Sequence, residues 1–194
     1  MRLHLVFVFA AATLLASCAS SPAPVPTRTP ASAYADVARF FPLAVGNSWT
    51  YQSRLGHQVE RSTVRIEQKQ GAFFHDNQRG TLAFDGEGLR DQRRYLILGP
   101  IEAGRSWESL LENGQRERYE IVQTGATAVV PAGTFEEALV VRGTTPVDPT
   151  TSLQVEWTYA PDVGLVRMTS AVLIARKDPV PQAEVELLSF SLSP

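Results

Sequence analysis

The feature that most constrains this chain is the alternation of apolar and polar residues in short segments after Gly46. Four segments show it clearly, at 48–52, 63–67, 118–121 and 154–159. Successive side chains of a β-strand point to opposite faces of a sheet, so this period of two predicts strands with one face buried. A chain patterned in this way is expected to form antiparallel sheet.

Turn-forming residues separate the alternating segments. Asn113-Gly114 lies between the runs WESLLE and QRERYEI and is the strongest hairpin signal, and further turns are predicted at Gly71, 85–88, 131–133 and 161–164. Counting the runs between these signals predicts about ten or eleven strands, which an open flat sheet carries poorly. We therefore predict a mainly β fold, with one strongly curved antiparallel sheet or an incomplete β-barrel. A two-sheet sandwich is the alternative architecture.

One short N-terminal helix is predicted before the strands, from Ser32 to Phe41. Ser32 suits the N-cap position, and Pro42 cannot continue a helix. The folded domain is expected at 34–194, where a single domain has enough residues for a substantial core.

An export signal is predicted at the N-terminus, over residues 1–17. Met1-Arg2 precedes an apolar run from Leu3 to Leu15 and then two small residues. A membrane-spanning helix needs about twenty apolar residues, and this run is shorter, which is typical of a signal peptide that is removed.

Cys18 is the only cysteine of the chain, and it directly follows the predicted signal peptide. The sequence Leu15-Ala16-Ser17-Cys18 resembles the lipobox of bacterial lipoproteins. The resemblance implies that the thiol receives a diacylglyceryl group and that the new amino terminus is acylated, for example by palmitate. Two or three acyl chains hold a protein on a membrane, whereas one holds it only marginally. The alternative is an incidental thiol beside an ordinary secretory cleavage site.

A tether is predicted at 18–33, where residues 19–33 are mainly Ala, Ser, Thr and Pro with one charge. Such a composition favours an extended spacer of about 3 Å per residue. Ala19 follows Cys18 where inner-membrane lipoproteins of many Gram-negative bacteria carry Asp, so the resemblance implies the outer membrane, facing the periplasm. The formal net charge of the chain is -2, without the basic excess that nucleic-acid binding requires.

Three further motifs resemble those of an uncharacterised family of bacterial lipoproteins and secreted proteins. They are FFPLAVGNSWTYQ at 40–52, VVPAGTFEEALVV at 129–141 and WTYAPDVGLVRM at 157–168. In that family the patterns FPLxxGNxWxY, VPAGTF and YAPxVGLV occur in this order. The implied fold is a curved antiparallel sheet with a distant architectural likeness to the lipoprotein carrier LolA and the receptor LolB, which hold acyl chains in a concave cavity.

No residue pattern indicates catalysis, a metal or a cofactor. His57 and His75 are isolated, and His75-Asp76 would point to opposite faces of a strand. Asp85, Glu87 and Asp91 are close in sequence, but their spacing departs from that of a calcium-binding EF-hand loop and the intervening glycines suit a hairpin. We therefore predict that the protein is not an enzyme.

Aromatic residues in the strand-like runs are the candidate site. Several would share the inward face of the sheet, and they either fill the core or line an apolar cavity; the candidates are Trp49, Tyr51, Trp107, Tyr119, Trp157 and Tyr159. The sequence thus predicts a membrane-anchored periplasmic lipoprotein that binds a hydrophobic ligand or an envelope partner on the concave face of its sheet. The alternatives are an envelope assembly protein with a filled core and, last, a cell-envelope hydrolase.

Overall fold

The computed structural model describes residues 36–111 and 114–193. The predicted signal peptide, Cys18 and the tether lie outside the described residues, as does Asn113. Within the described part of the chain, no helix is long and apolar enough to cross a bilayer.

In the described residues, twelve strands form one antiparallel sheet, slightly more than the ten or eleven predicted, and the sheet is curved into a nearly closed barrel. The strands are β1 (Ser48–Leu55), β2 (Gln58–Gln70), β3 (Phe73–Asp76), β4 (Thr81–Phe84), β5 (Gly88–Arg90), β6 (Tyr95–Leu98), β7 (Ser106–Leu110), β8 (Arg116–Val130), β9 (Gly133–Asp148), β10 (Thr151–Ala160), β11 (Gly164–Ile174) and β12 (Val180–Ser191). The fold is therefore the curved single sheet of the first prediction, and the sandwich is excluded.

Part of the predicted helix, residues 32–35, lies outside the described residues. Of its described part, residues 36–38 are helical, and the following turn is closed by the bonds Phe40 N–H to Val37 O (2.9 Å) and Phe41 N–H to Ala38 O (3.3 Å). The helix thus ends at residue 38 and not at Phe41, where the sequence predicted its end.

Strands that are consecutive in sequence are neighbours in the sheet, except β6 and β7, and β1 also pairs with β12. The strand order runs β6-β5-β4-β3-β2-β1-β12-β11-β10-β9-β8-β7, so β1 pairs with β12 in the middle of the sheet and β6 and β7 are its two edges. Since β6 and β7 follow each other in sequence, the curvature of the sheet brings its edges together. We call the junction of β6 and β7 the seam.

A change of phase in β8 lets this one strand serve two cores. Glu117, Tyr119 and Ile121 are buried in its first half, whereas residues 126, 128 and 130 are buried in its second half. The pairing with β9 shifts between these halves, where Gly125 has φ +70°. An extra residue in a strand reverses which alternate side chains face inward. In β8 the buried residues are therefore odd-numbered before the shift and even-numbered after it.

The buried side chains form two clusters. The first contains Trp49, Tyr51, Ile66 and Leu187 together with the second half of β8. The second contains Leu89, Ile97, Leu139 and Val141 with the first half of β8, and the N-terminal segment packs into it through Val37 and Phe40.

Two opposite ends of the sheet can be distinguished. The turns β1–β2, β7–β8, β9–β10 and β11–β12 share one end, which we call the hairpin end. The chain enters at the other end, where Asp162 N–H donates to Arg39 O (2.7 Å) and the Arg39 guanidinium binds Glu137 (2.7 Å). A ten-residue strand such as β10 spans about 33 Å, so the hairpin end lies far from the point of entry.

Candidate functional site

The six aromatic residues predicted as a cavity lining lie in the interior of the sheet. Five of them are buried, from Tyr119 at 0% exposure to Trp107 at 9%, and Trp157 is half-buried. Trp49 and Tyr51 belong to the first cluster and the others lie in or against the second. None of the six lines either of the two grooves described below, at the seam and on the polar face of the sheet. Their role as a ligand-cavity lining stays a prediction.

The polar atoms of Trp49, Tyr51, Trp107 and Tyr119 are hydrogen-bonded inside the protein. Trp49 Nε1–H donates to Val163 O (2.6 Å), and the Tyr51 hydroxyl donates to Leu165 O (3.0 Å). Burial is the main reason that the pKa of Tyr51 is raised well above its usual range. These side chains therefore keep their hydrogen bonds without a ligand.

Three aromatic rings from β7, β8 and β10 form a stack beneath the seam. Trp107 and Tyr119 lie parallel at a centroid distance of 5.4 Å, and Tyr119 and Trp157 are 5.9 Å apart at 22°. Gly143 of β9 lies between β8 and β10, and a Cβ there would stand 2.8 Å from Trp157 Cζ3. The missing side chain allows Trp157 to reach over β9 and contact Tyr119.

A buried carboxylate lies beside this stack. Glu117 is 5% exposed and accepts hydrogen bonds from the Tyr119 hydroxyl, from Arg94 Nη1 at 2.8 Å and from Thr145 Oγ1 at 3.3 Å. Burial by itself lowers the pKa of Arg94. The interactions with Tyr119, Glu117 and Asp91 are stronger than this effect, so the pKa of Arg94 is raised. Burial and the bond to Glu117 raise the pKa of Tyr119. The cluster is a satisfied ion pair, as a buried charge requires.

Side chains alone bridge the seam. Arg94, in the turn between β5 and β6, binds Glu117 of β8, and Trp107 Nε1–H of β7 donates to Tyr95 O of β6 at 3.0 Å. Within the described ranges no backbone hydrogen bond joins β6 to β7. A groove of about 350 Å³ opens here between Arg90, Arg94 and Tyr95 on one side and Glu108 and Leu110 on the other.

The hairpin end carries most of the exposed large apolar side chains found in the described residues. Six of the nine lie within three residues of a strand terminus at this end, namely Leu55, Val59, Leu110, Val147, Leu153 and Val180. The other three are Val45, Val129 and Phe190, toward the entry end. Four turns at the same end of the sheet therefore carry exposed apolar side chains that could contact another protein.

A second groove, of about 480 Å³, lies on the polar face of β1, β12, β11 and β10. Arg54 binds Glu184 (3.2 Å) and Glu186 (3.1 Å), and Arg167 binds Glu186 (2.9 Å). The charges of this face are thus paired with one another across the strands, so they stabilise the register of the sheet and leave little unbalanced charge for a ligand.

Asp85, Asp76 and His75, which were named from the sequence, make local hydrogen bonds. Asp85 accepts hydrogen bonds from the amides of Glu87 (2.9 Å) and Gly88 (3.1 Å) and from the Tyr95 hydroxyl (2.9 Å). Asp76 accepts from Gly80 N–H (2.8 Å), while His75 Nδ1 lies 3.3 Å from Thr81 Oγ1. In residues 36–111 and 114–193 no group of three or more His, Cys, Asp or Glu could hold a metal.

The pair of Arg94 and Glu117 is not predicted from the sequence. Glu117 does carry a signal, because it has the same phase as Tyr119 and Ile121 and is therefore a charged residue on an inward face. Such a residue needs a cationic partner. The partner belongs to a turn on the other half of the sheet, and only the closure of the sheet reveals it.

Comparison with known proteins identifies the fold alone. No family model and no curated protein matches the chain. The crystal structure of a Bacteroides fragilis NCTC 9343 protein, described as exported and as having a YMCC-like fold, is similar with a TM-score of 0.51 and 15% identity over 79% of this chain and 99% of that chain. A Parabacteroides distasonis ATCC 8503 protein described as a lipoprotein aligns with a TM-score of 0.46 and 14% identity over 78% of this chain and 98% of that chain.

Proposed function

We propose that this protein is an exported lipoprotein of the bacterial cell envelope and not an enzyme, with its packed sheet domain binding another envelope protein at the hairpin end. Cys18 is the proposed lipid attachment site, and the outer membrane facing the periplasm is the proposed location. The signal-like N-terminus supports export, and the Bacteroides fragilis protein of similar fold is described as exported.

The observation that carries the proposal is the position of the six exposed apolar residues. They are gathered at the end of the sheet opposite to the point where the chain enters. A domain tethered through its N-terminus would therefore present this surface away from its own membrane. Burying such side chains against a partner contributes about 25 cal/mol per Å² of apolar area.

The packing inside the sheet favours binding of a partner at the surface over binding of a lipid in the interior. Trp49, Tyr51 and Tyr119 are buried against other side chains, and their polar atoms are hydrogen-bonded within the chain. An apolar ligand among them would have to displace packed side chains, which costs free energy. A packed sheet that binds a partner on its surface is the better account of this arrangement.

Site-specific photocrosslinking in intact cells tests the proposal. A photoreactive residue is placed at Val59 on the hairpin end or, as the matched control, at Val129 toward the entry end, because both side chains are 62% exposed. We expect one adduct of defined mass from Val59 and none from Val129, and we expect Leu55→Ser with Val180→Ser to abolish it. Equal labelling from both positions, or none from either, would refute the proposed surface.

A further inference from the structure

The first half of β2 has an unpaired edge. This strand is thirteen residues long, and β1 pairs with its residues 58–65 on one side. On the other side β3 pairs only with the second half, between residues 66 and 70. Among the described residues, no strand therefore pairs with residues 58–62 on the side away from β1. An unpaired row of backbone groups at a sheet edge is a template for an added strand.

The hydrogen bonds of Arg65 identify which backbone groups face this edge. Arg65 N–H donates to Asn77 Oδ1 (2.8 Å), and Asn77 N–H donates to Arg65 O (3.0 Å), so the Arg65 backbone points away from β1. The N–H and C=O of one residue in an antiparallel strand point to the same side, and this side alternates along the strand. The backbone groups of Val59, Arg61 and Thr63 therefore also point away from β1.

The turn after β3 covers only the far end of this row. The side-chain amides of Asn77 and Gln78 donate to Thr63 O at 3.0 Å and 3.3 Å. Within the described ranges, no backbone hydrogen bond joins Val59 or Arg61 to a residue on that side. The free row thus comprises both groups of Val59 and Arg61 and the N–H of Thr63, and we call it the β2 edge. It reaches the hairpin end, where the Val59 side chain is 62% exposed.

Two cations without partners lie beside the β2 edge. Odd-numbered side chains of β2 lie on the outer face, because position 66 is the buried one, and both Arg61 and Arg65 are exposed. Neither guanidinium has an ion pair or hydrogen bond with another residue of the described part of the chain. Their neighbours on β1 are the neutral Gln52 and Ser48. The first carboxylate on the same face of β2 is Glu67, outside the free stretch, so the edge itself offers Arg61 no anion.

We propose that the β2 edge accepts an extended segment of a partner protein as an added antiparallel strand, with acidic side chains opposite Arg61 and Thr63. Main-chain hydrogen bonds to Val59 and Arg61 would supply affinity. A carboxylate opposite Arg61 faces that cation directly, and one opposite Thr63 lies diagonally from Arg61 and from Arg65, within reach of long side chains. This inference rests on the proposed function in taking the partner to be a protein, and it adds where and how that protein binds.

Charge argues against a second copy of the chain as the occupant. Two β2 edges related by a two-fold axis centred on Glu60 would place the two Glu60 side chains opposite each other. An axis centred on Arg61 would do the same with the two Arg61 side chains. Like charges directly opposite each other destabilise a strand pair. An acidic segment from a different protein matches the β2 edge better.

Residue-resolved amide hydrogen exchange of the full-length lipoprotein in detergent micelles tests the inference. The probe is a capped peptide of alternating Thr and Glu, and the matched control peptide has Lys in place of Glu. We expect saturable binding of the Glu peptide, with exchange of the Val59, Arg61 and Thr63 amides slowed about tenfold or more, and little effect of the Lys peptide. Unchanged exchange, or equal slowing by both peptides, would overturn the inference. Slowing that depends on protein concentration without peptide would overturn it in favour of self-pairing.

Two variants at one position separate the side-chain role from the backbone role. Arg61→Glu keeps the outward N–H and should reverse the preference, so that the Lys peptide binds and the Glu peptide does not. Arg61→Pro removes that N–H, which an edge position tolerates, and should abolish the slowing by either peptide. An Arg61→Glu variant that still prefers the Glu peptide, or an Arg61→Pro variant that binds as the wild type does, would overturn the inference.

Crosslinking at Val59 in cells distinguishes this inference from the proposed function. An adduct at Val59 without any slowing by the Glu peptide would overturn strand addition and leave the hairpin-end surface standing. Slowing by the Glu peptide in a protein that gives no adduct would support strand addition and refute the hairpin-end surface as the site of binding in cells.

Discussion

Arg94 and Glu117 lie 2.8 Å apart across the seam and join two sheet edges that share no backbone hydrogen bond within the described residues. The Glu117 side chain is 7% exposed and the Arg94 side chain 32% exposed, so the pair is largely shielded from water. Removing one partner of such a pair leaves a buried charge without compensation.

The Arg94→Met variant should therefore be strongly destabilised. We expect it to lose about 3 kcal/mol in the free energy of unfolding, measured by urea denaturation at neutral pH. The matched control is Arg116→Met, which removes an exposed ion pair with Glu108 and should lose less than about 1 kcal/mol. Similar losses in the two variants would show that the seam does not depend on Arg94.

The Gly143→Ala variant tests the contact between Trp157 and the bare backbone of β9. The added Cβ would lie 2.8 Å from Trp157 Cζ3 and 3.3 Å from Glu117 Oε1, so the stack must shift. We expect a loss of about 1–3 kcal/mol in unfolding free energy and a changed tryptophan emission spectrum. Gly86→Ala is the control, because no atom lies within 4 Å of its added Cβ; a loss there as large as at Gly143 would contradict the account.

Alkaline pH should unfold the protein through its buried tyrosines. Burial raises the pKa of Tyr51 and Tyr159 well above the ordinary value, and burial with the bond to Asp85 raises the pKa of Tyr95 to about 12. The folded state favours the neutral phenols, so this contribution to stability is complete below pH ~10 and is lost as pH rises through the folded pKa values. Urea denaturation from pH 8 to 11.5 should show falling stability, with tyrosinate absorbance appearing together with unfolding. Full ionisation at pH ~10 in a protein that stays folded would contradict this expectation.

Lipid attachment is tested at Cys18, outside the described residues. Cells labelled with radioactive palmitate should yield labelled wild-type protein, and Cys18→Ser should abolish the label, because the chain contains no other thiol. Label that survives the substitution would refute the lipobox assignment.

The sequence predicts the strands well where the alternation is long. Trp49 and Tyr51 alternate with polar residues in β1 and are buried, as this alternation predicts. Tyr119 and Ile121 are buried in β8 for the same reason. The turns at Gly71 and 161–164 are confirmed, with φ +57° at Gly71 and +112° at Gly164. Local residue pattern is sufficient for these features.

Features that depend on distant contacts were not predictable from one sequence. The strands β4 to β6 have three or four residues each, too few for a period of two to be recognised, which explains the low strand count. The seam depends on Arg94 meeting Glu117 from the opposite half of the sheet. The hairpin end likewise becomes visible only when Leu55, Val147 and Val180 are brought together by the strand order.

We propose a domain with a packed interior that binds its partner on its surface. Native mass spectrometry of the unacylated Cys18→Ser protein, purified gently from cells, tests it most directly. We predict a mass equal to that of the polypeptide alone, with no lipid bound in stoichiometric amount and no change of Tm after extraction with organic solvent and refolding. A lipid adduct at one molecule per protein, whose removal lowers Tm, would contradict the account and return the six aromatic residues to the role of a ligand cavity.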